Sequence, residues 1–166
     1  MQRVLIIGSP GAGKSTFGRA LSARSGLPLI HLDAEYHLPG WREPEREDWD
    51  AKLEVLLARP EWIMDGNYGS SLPRRLARAD TSILLDYPTW LCMWRLVRRV
   101  VSSHGSVRAD AAKGCPERFD WSFLKYTATF RTKQRRVSER HLTGYQGKLF
   151  RFRHPSDAEA FLERLS

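Results

Sequence analysis

Between residues 8 and 16 the chain reads GSPGAGKST, and Gly8, Gly13, Lys14 and Ser15 form the pattern G-x-x-x-x-G-K-S. The apolar run VLII precedes it and a segment of helical period follows, which is the strand-to-helix setting the pattern requires. Glycines there let the backbone curl so that successive N–H groups face inward as an anion nest at a helix N-terminus. Gly8, Gly11, Ala12, Gly13, Lys14, Ser15 and Thr16 are therefore the candidate phosphate contacts. Lys14 can reach the β- and γ-phosphates, and the Ser15 hydroxyl can ligate Mg²⁺. The expected ligands are ATP and magnesium.

Such a site also needs a carboxylate at a nearby strand end to hold magnesium, normally through water. Two stretches offer one: 62-WIMDGNY-68 and 82-SILLD-86 are both apolar runs that stop at an acid. Spacing alone does not separate Asp65 from Asp86. A third acid, Asp33, closes the short apolar run 28-PLIHLD-33 and would point into the same crevice. There it can orient or deprotonate an acceptor hydroxyl, or simply cap the next turn. His31 and His37 flank it, but their spacing with one acid is a poor metal pattern, and magnesium delivered with the nucleotide suffices.

Periodicity and chain breakers place these residues on alternating elements. Strands are expected at 2–8, 28–33, 61–65, 81–86 and 148–152. Helices are expected at 14–26, 45–58, 72–78, 89–101, 121–143 and 156–165. This alternation argues for an open parallel sheet with helices on both faces and ligands beyond the carboxyl ends of its strands. Residues 102–118 form a polar stretch too long for an ordinary connection, as lids are.

The chain has 166 residues, which suits a single domain. It has no apolar run long enough to span a bilayer and no leader-like segment before the first strand, so the expectation is a cytoplasmic protein without a membrane partner. Cys92 and Cys115 make neither a disulfide framework nor a zinc pattern. The net charge is +8, and residues 94–140 hold 12 Lys/Arg against 4 Asp/Glu, leaving 15 of each elsewhere. The whole excess thus lies in one stretch, which points to an anionic partner: nucleotide phosphates, or less favourably a nucleic acid. Residues 31–61 are instead acidic, with 9 acids and 4 bases.

The order of 8-GSPGAGKST-16, 62-WIMDG-66 and 83-ILLDYP-88 resembles adenylate kinases and related P-loop small-molecule kinases over most of the chain. The resemblance implies an α/β three-layer P-loop fold whose five parallel strands run in the order 2-3-1-4-5, with a lid at about 102–118 and an acceptor-binding region at 34–60. It assigns the magnesium-organising acid to Asp65. It also implies that Arg95 and Arg99, four apart and so on one helix face, contact the nucleotide and neutralise charge during transfer, with Arg98 close enough to serve. Arg108, Arg118, Arg131 and Arg135 are further candidates to close on phosphate, and His154 with Pro155 falls where such kinases pack a loop on adenine.

A narrower resemblance, carried by HLD at 31–33, Trp41, WIMDGNY, LDYP and 114-GCPE-117, is to the bacterial "DNA topology modulation protein" group. One departure matters. Where adenylate kinases follow the acid-Gly pair with Phe-Pro-Arg, this chain has Asn67-Tyr68-Gly69, and the arginine that grips a monophosphate is missing. Arg74 or Arg75 could substitute in space, but AMP is in doubt as the acceptor. The expected activity is transfer of the ATP γ-phosphate to a small-molecule acceptor through Lys14, Asp33, Arg95 and Arg99; the alternative is a DNA-binding ATPase.

Overall fold

A computed structural model of the protein describes residues 1–103, 105, 107, 110–116 and 119–165. The elements alternate: β1 (Arg3–Gly8), α1 (Lys14–Ser25), β2 (Leu29–His31), α2 (Leu32–Tyr36), α3 (Arg46–Leu57), β3 (Trp62–Asp65), α4 (Leu72–Arg78), β4 (Thr81–Leu85), α5 (Thr89–Ser103), α6 (Trp121–Phe130), α7 (Gln134–Thr143), β5 (Lys148–Phe152) and α8 (Pro155–Glu163). The five strands form one sheet in the order β2-β3-β1-β4-β5, and every pairing is parallel.

Side-chain alternation along β1 explains the three layers. Val4 and Ile6 join Phe17 and Leu21 of α1 and Leu162 of α8 in one core. Leu5 and Ile7 point the other way, into a core with Leu53 and Leu57 of α3, Leu76 of α4 and Leu142 of α7. Every residue of β1 from Val4 to Gly8 is buried, as a strand covered on both faces must be. Each fully buried Leu or Ile contributes about 1.5–3 kcal/mol.

Two elements differ from the sequence expectation. The second strand stops at His31 rather than reaching Asp33. Its partner β3 pairs His31 with Asp65 and then turns at Gly66 (φ 138°), leaving nothing further to pair with. The chain instead coils into α2, which buries Leu32 and lifts Asp33 into a first helical turn. The long helix expected over 121–143 is two helices, parted at 131–133. Hydroxyls compete for the carbonyls there: Thr129 Oγ1 donates to Lys125 O at 2.9 Å and Thr132 Oγ1 to Thr129 O at 3.0 Å.

Among the described residues no helix is long and apolar enough to cross a membrane.

Candidate active site

The cradle is built where β1 runs into α1. No side chain caps the first turn of α1, whose N-cap is Gly13 in the left-handed region (φ 88°), so the orphan N–H groups of that turn are left to a ligand. Gly11 (φ 76°) is required twice over, since a Cβ there would lie 2.2 Å from the Cys92 carbonyl oxygen of α5. Lys14 Nζ donates to the carbonyls of Gly8 (2.8 Å) and Ser9 (3.1 Å), which bends it over the loop. Burial pulls its pKa down, while Asp33 and Asp65 oppose that shift. Both acids therefore lie within electrostatic reach of the cradle lysine.

Asp65, at the end of β3, is 4 % exposed, and its Oδ1 lies 2.9 Å from His31 Nδ1 across the β2–β3 pairing. Burial lowers the His31 pKa, but the hydrogen bond and charge of Asp65 outweigh it and the net shift is upward. The residues after Asp65 join this site to the others. Asn67 Oδ1 accepts from the Gly8 N–H at 3.1 Å, stitching the β3 turn to the cradle. Tyr68 OH donates to Asp33 Oδ1 at 2.8 Å. Asp33, Asp65 and the cradle thus form one polar floor.

Arg75 holds that turn. Its side chain is fully buried, and it donates to the carbonyls of Gly66 (2.9 Å), Asn67 and Tyr68 (2.9 Å) and to Ser71 Oγ (3.2 Å). Arg74 faces away and pairs with Asp50 and Glu54 of α3. Neither can substitute for the arginine missing after Gly66.

The predicted pair on α5 does converge. Arg95 and Arg99 both line the cavity beside the cradle, and Arg95 also lies over the Tyr87 ring, 5.7 Å from its centroid. Arg98 does not serve with them: it lies over Trp94 on the exposed side of the helix. Asp86 does not face the cavity either. Its Oδ2 accepts from Arg151 Nε (2.9 Å) and Nη2 (2.7 Å), and its Oδ1 lies 3.6 Å from Arg135 Nε and 4.0 Å from Arg131 Nε. Arg131 and Arg135, two of the four candidates to close on phosphate, lie beside Asp86 in this structure. Pro155 lines the cavity at the start of α8, whereas His154 is exposed outside it. Arg108 and Arg118 lie outside the described residues.

The cavity also has an aromatic wall, of which the sequence pointed to Trp41 alone, within the expected acceptor-binding region. Trp41 N donates to Cys115 Sγ (3.3 Å), Trp41 Nε1 to Pro116 O (2.9 Å), and Gly40 N to Gly114 O (2.9 Å). The Cys115 thiol in turn donates to Leu38 O at 3.3 Å. The 114-GCP-116 segment is thereby docked on the loop after α2. Phe123 and Tyr126 of α6 complete the wall. The only signals of this in the sequence were the isolated Trp41 and the Gly-Cys-Pro run, 75 residues apart in the Trp41–Pro116 contact.

One cavity of about 1140 Å³ connects these parts, from Phe17, Ala20, Pro155 and Leu162 past the cradle to Asp33, Trp41 and Tyr68. That exceeds the space a single drug-sized ligand usually takes. Because β5 with α8 lies on one side of β1 in the sheet and β2 with β3 on the other, the cavity has two ends separated by the cradle.

No family model matches the chain. Over 31 residues it is 61 % identical to shikimate kinase of Thermobifida fusca (strain YX), a match that spans 19 % of this chain and 18 % of that relative. Similar solved structures extend over nearly the whole chain. Shikimate kinase from Acinetobacter baumannii in complex with shikimate has a TM-score of 0.65 at 16 % identity, covering 99 % of this chain and 90 % of that one. Shikimate kinase from Aquifex aeolicus vf5 gives 0.56 at 15 % identity, with 98 % and 93 % covered. A gluconokinase from Sinorhizobium meliloti 1021 gives 0.55 at 19 % identity, with 99 % and 93 % covered. At such identities the likeness is one of architecture, and it agrees with the strand order and the cradle: the chain has the fold of a P-loop small-molecule kinase.

Proposed function

We propose that the protein is an ATP-dependent phosphotransferase that moves the γ-phosphate of ATP to a hydroxyl of a small molecule. The observation that carries this reading is the single cavity with the phosphate cradle at its middle, Arg95 and Arg99 at one wall and Asp33 with Asp65 on the floor. A site built for hydrolysis alone has no need of a second end.

In this reading the N–H groups from Gly11 to Thr16 hold the phosphates, and Lys14 leaves the Gly8 and Ser9 carbonyls to meet the β- and γ-oxygens. Ser15 and, through water, Asp65 fit magnesium arriving with the nucleotide, because a hydroxyl and a carboxylate are the hard oxygen donors it takes. Bound there, magnesium neutralises charge on the phosphates. Arg95 and Arg99 stabilise the charge that spreads over the transferring group, and Asp33 holds the acceptor hydroxyl in line and receives its proton. The base packs between α1 and α8, near Pro155. His154 takes no part.

The alternative of a DNA-binding ATPase rested on the basic stretch 94–140 and on the likeness to the "DNA topology modulation protein" group. Arg95 and Arg99 of that stretch line the cavity, and Arg131 and Arg135 face Asp86. Two pairs of its arginines therefore have tasks within the fold, and no observation favours the DNA reading.

The test is ADP release from Mg·ATP over a panel of nucleosides, polyols and amino compounds. Acceptor-stimulated release that disappears in Lys14→Ala is the expected result. Steady ATP hydrolysis indifferent to every acceptor, or DNA affinity that falls steeply with salt as counterion release demands, would overturn the proposal.

A further inference from the structure

We infer that the acceptor is an uncharged hydroxylated ring compound, selected against carboxylates and phosphates by Asp33 and the fixed rings of Trp41 and Tyr68. The inference rests on the phosphotransferase reading and concerns the end of the cavity beyond the cradle.

Among the described residues two non-glycine positions have positive φ, Trp41 (61°) and Tyr68 (32°), and both line this end of the cavity. Left-handed backbone at a bulky residue is uncommon, and it persists where surrounding contacts over-determine it. The contacts are present. Trp41 is held through its backbone N–H and its indole N–H by the Cys115–Pro116 segment, and Tyr68 through its hydroxyl on Asp33 and its carbonyl on Arg75. His37 packs between them, 5.1 Å from the Trp41 centroid and 6.4 Å from that of Tyr68. A strained, rigidly held pair of aromatic faces beside a carboxylate suits a ring with an apolar face and hydroxyl edges.

Charge points the same way. An anionic acceptor at this end would lie beside Asp33 and Asp65. Lys14 is turned to the cradle, Arg75 is buried in backbone carbonyls, Arg74 is paired with α3, and Arg42 donates to Pro39 O. Arg19 stands on the α1 wall, donating to Thr16 Oγ1. The contacts of these five cations fall on the cradle, on backbone carbonyls or on α3 rather than on the Asp33 carboxylate, and Arg95 and Arg99 line the α5 wall beside the cradle.

The experiment is calorimetric titration of the Mg·ADP-loaded protein with three pairs of ring compounds, one neutral and one anionic in each: adenosine and AMP, methyl glucoside and glucuronate, methyl shikimate and shikimate. In each pair that binds, the neutral member is expected to bind at least about tenfold more tightly, since like-charge juxtaposition penalises the anion. Trp41→Ala should weaken the neutral ligand about tenfold with Mg·ADP affinity kept. If that variant does not fold, Tyr68→Phe, which removes only the hydroxyl on Asp33, should weaken it several-fold. An anion binding as well as its neutral partner, or no binding by any of the six compounds, overturns the inference. Neutral binding with no Asp33-dependent ADP release would leave the selectivity standing and sink the phosphotransferase reading instead.

Discussion

The Tyr68 hydroxyl donates a 2.8 Å hydrogen bond to Oδ1 of Asp33, joining the chain after β3 to the chain after β2 across 35 residues of sequence. Burial and the neighbouring Asp33 push the Tyr68 phenol well above its ordinary range, so the proton of this hydrogen bond stays on the tyrosine. Tyr68→Phe should leave the fold intact and lower acceptor-stimulated ADP release about tenfold by releasing Asp33 from its orientation. Asp33→Asn should lower it about a hundredfold or more, within the range for a positioned general base. Equal losses in the two variants would mean that Asp33 only holds Tyr68 in place.

Asp65 and Asp86 should separate cleanly by experiment. Asp65 lines the cavity, whereas Asp86 is the anchor for Arg151 of β5 and Arg135 of α7. Asp65→Asn is expected to depress ATP turnover steeply with little change in Tm. Asp86→Asn should instead destabilise by about 1–3 kcal/mol, less than a fully buried pair because its arginine partners are partly solvated. Thermal unfolding and steady-state ADP release on both variants check this, and the opposite pattern would reverse the assignment.

Arg75→Ala should be among the most damaging substitutions outside the cradle. It would leave the carbonyls of Gly66, Asn67 and Tyr68 without their donor in a buried place. A cost of about 2–5 kcal/mol follows from the unsatisfied acceptors and the void. Denaturant unfolding measures it, and a loss below about 1 kcal/mol would show that water replaces the guanidinium.

Asp80 supplies an acid-stability test. Its Oδ2 accepts from the N–H groups of Gln2 and Arg3, both at 2.8 Å, and its Oδ1 from Thr81 Oγ1 at 2.7 Å. Burial alone would raise its pKa, but these donors outweigh burial and hold it below the usual carboxylate value. A lowered folded pKa means stability that is fully present above the unfolded value, about 4, and lost as pH falls through the folded value. Asp80→Asn should therefore cost about 1–2 kcal/mol at pH 7, and the gap from the unsubstituted protein should shrink below pH 4. A gap independent of pH would remove the charge from the explanation.

Local pattern was enough for the geometry of the loop between β1 and α1, because contiguous residues make it: Gly11 and Gly13 by their backbone freedom, Lys14 and Ser15 by their place at a helix start. The strand-helix alternation was legible for the same reason, and the likeness of motif order supplied the strand order that the sheet adopts. Four-residue spacing was enough to put Arg95 and Arg99 together. What sequence could not reach were relations between distant segments. Asp65 and Asp86 end equally apolar strands, and only the sheet decides that one opens on the cavity while Arg151, 65 residues on, covers the other. Arg75 has the composition of a surface cation, yet the turn after β3 supplies it with enough carbonyls to be buried whole. Asp33 was expected at a strand end, but β3 turned away at Gly66 and left no partner, so the chain coiled and brought Asp33 to Tyr68. Short-range propensity and motif chemistry are encoded residue by residue; the partner a buried polar group finds depends on which chain segments packing brings alongside, and that is settled only by the fold.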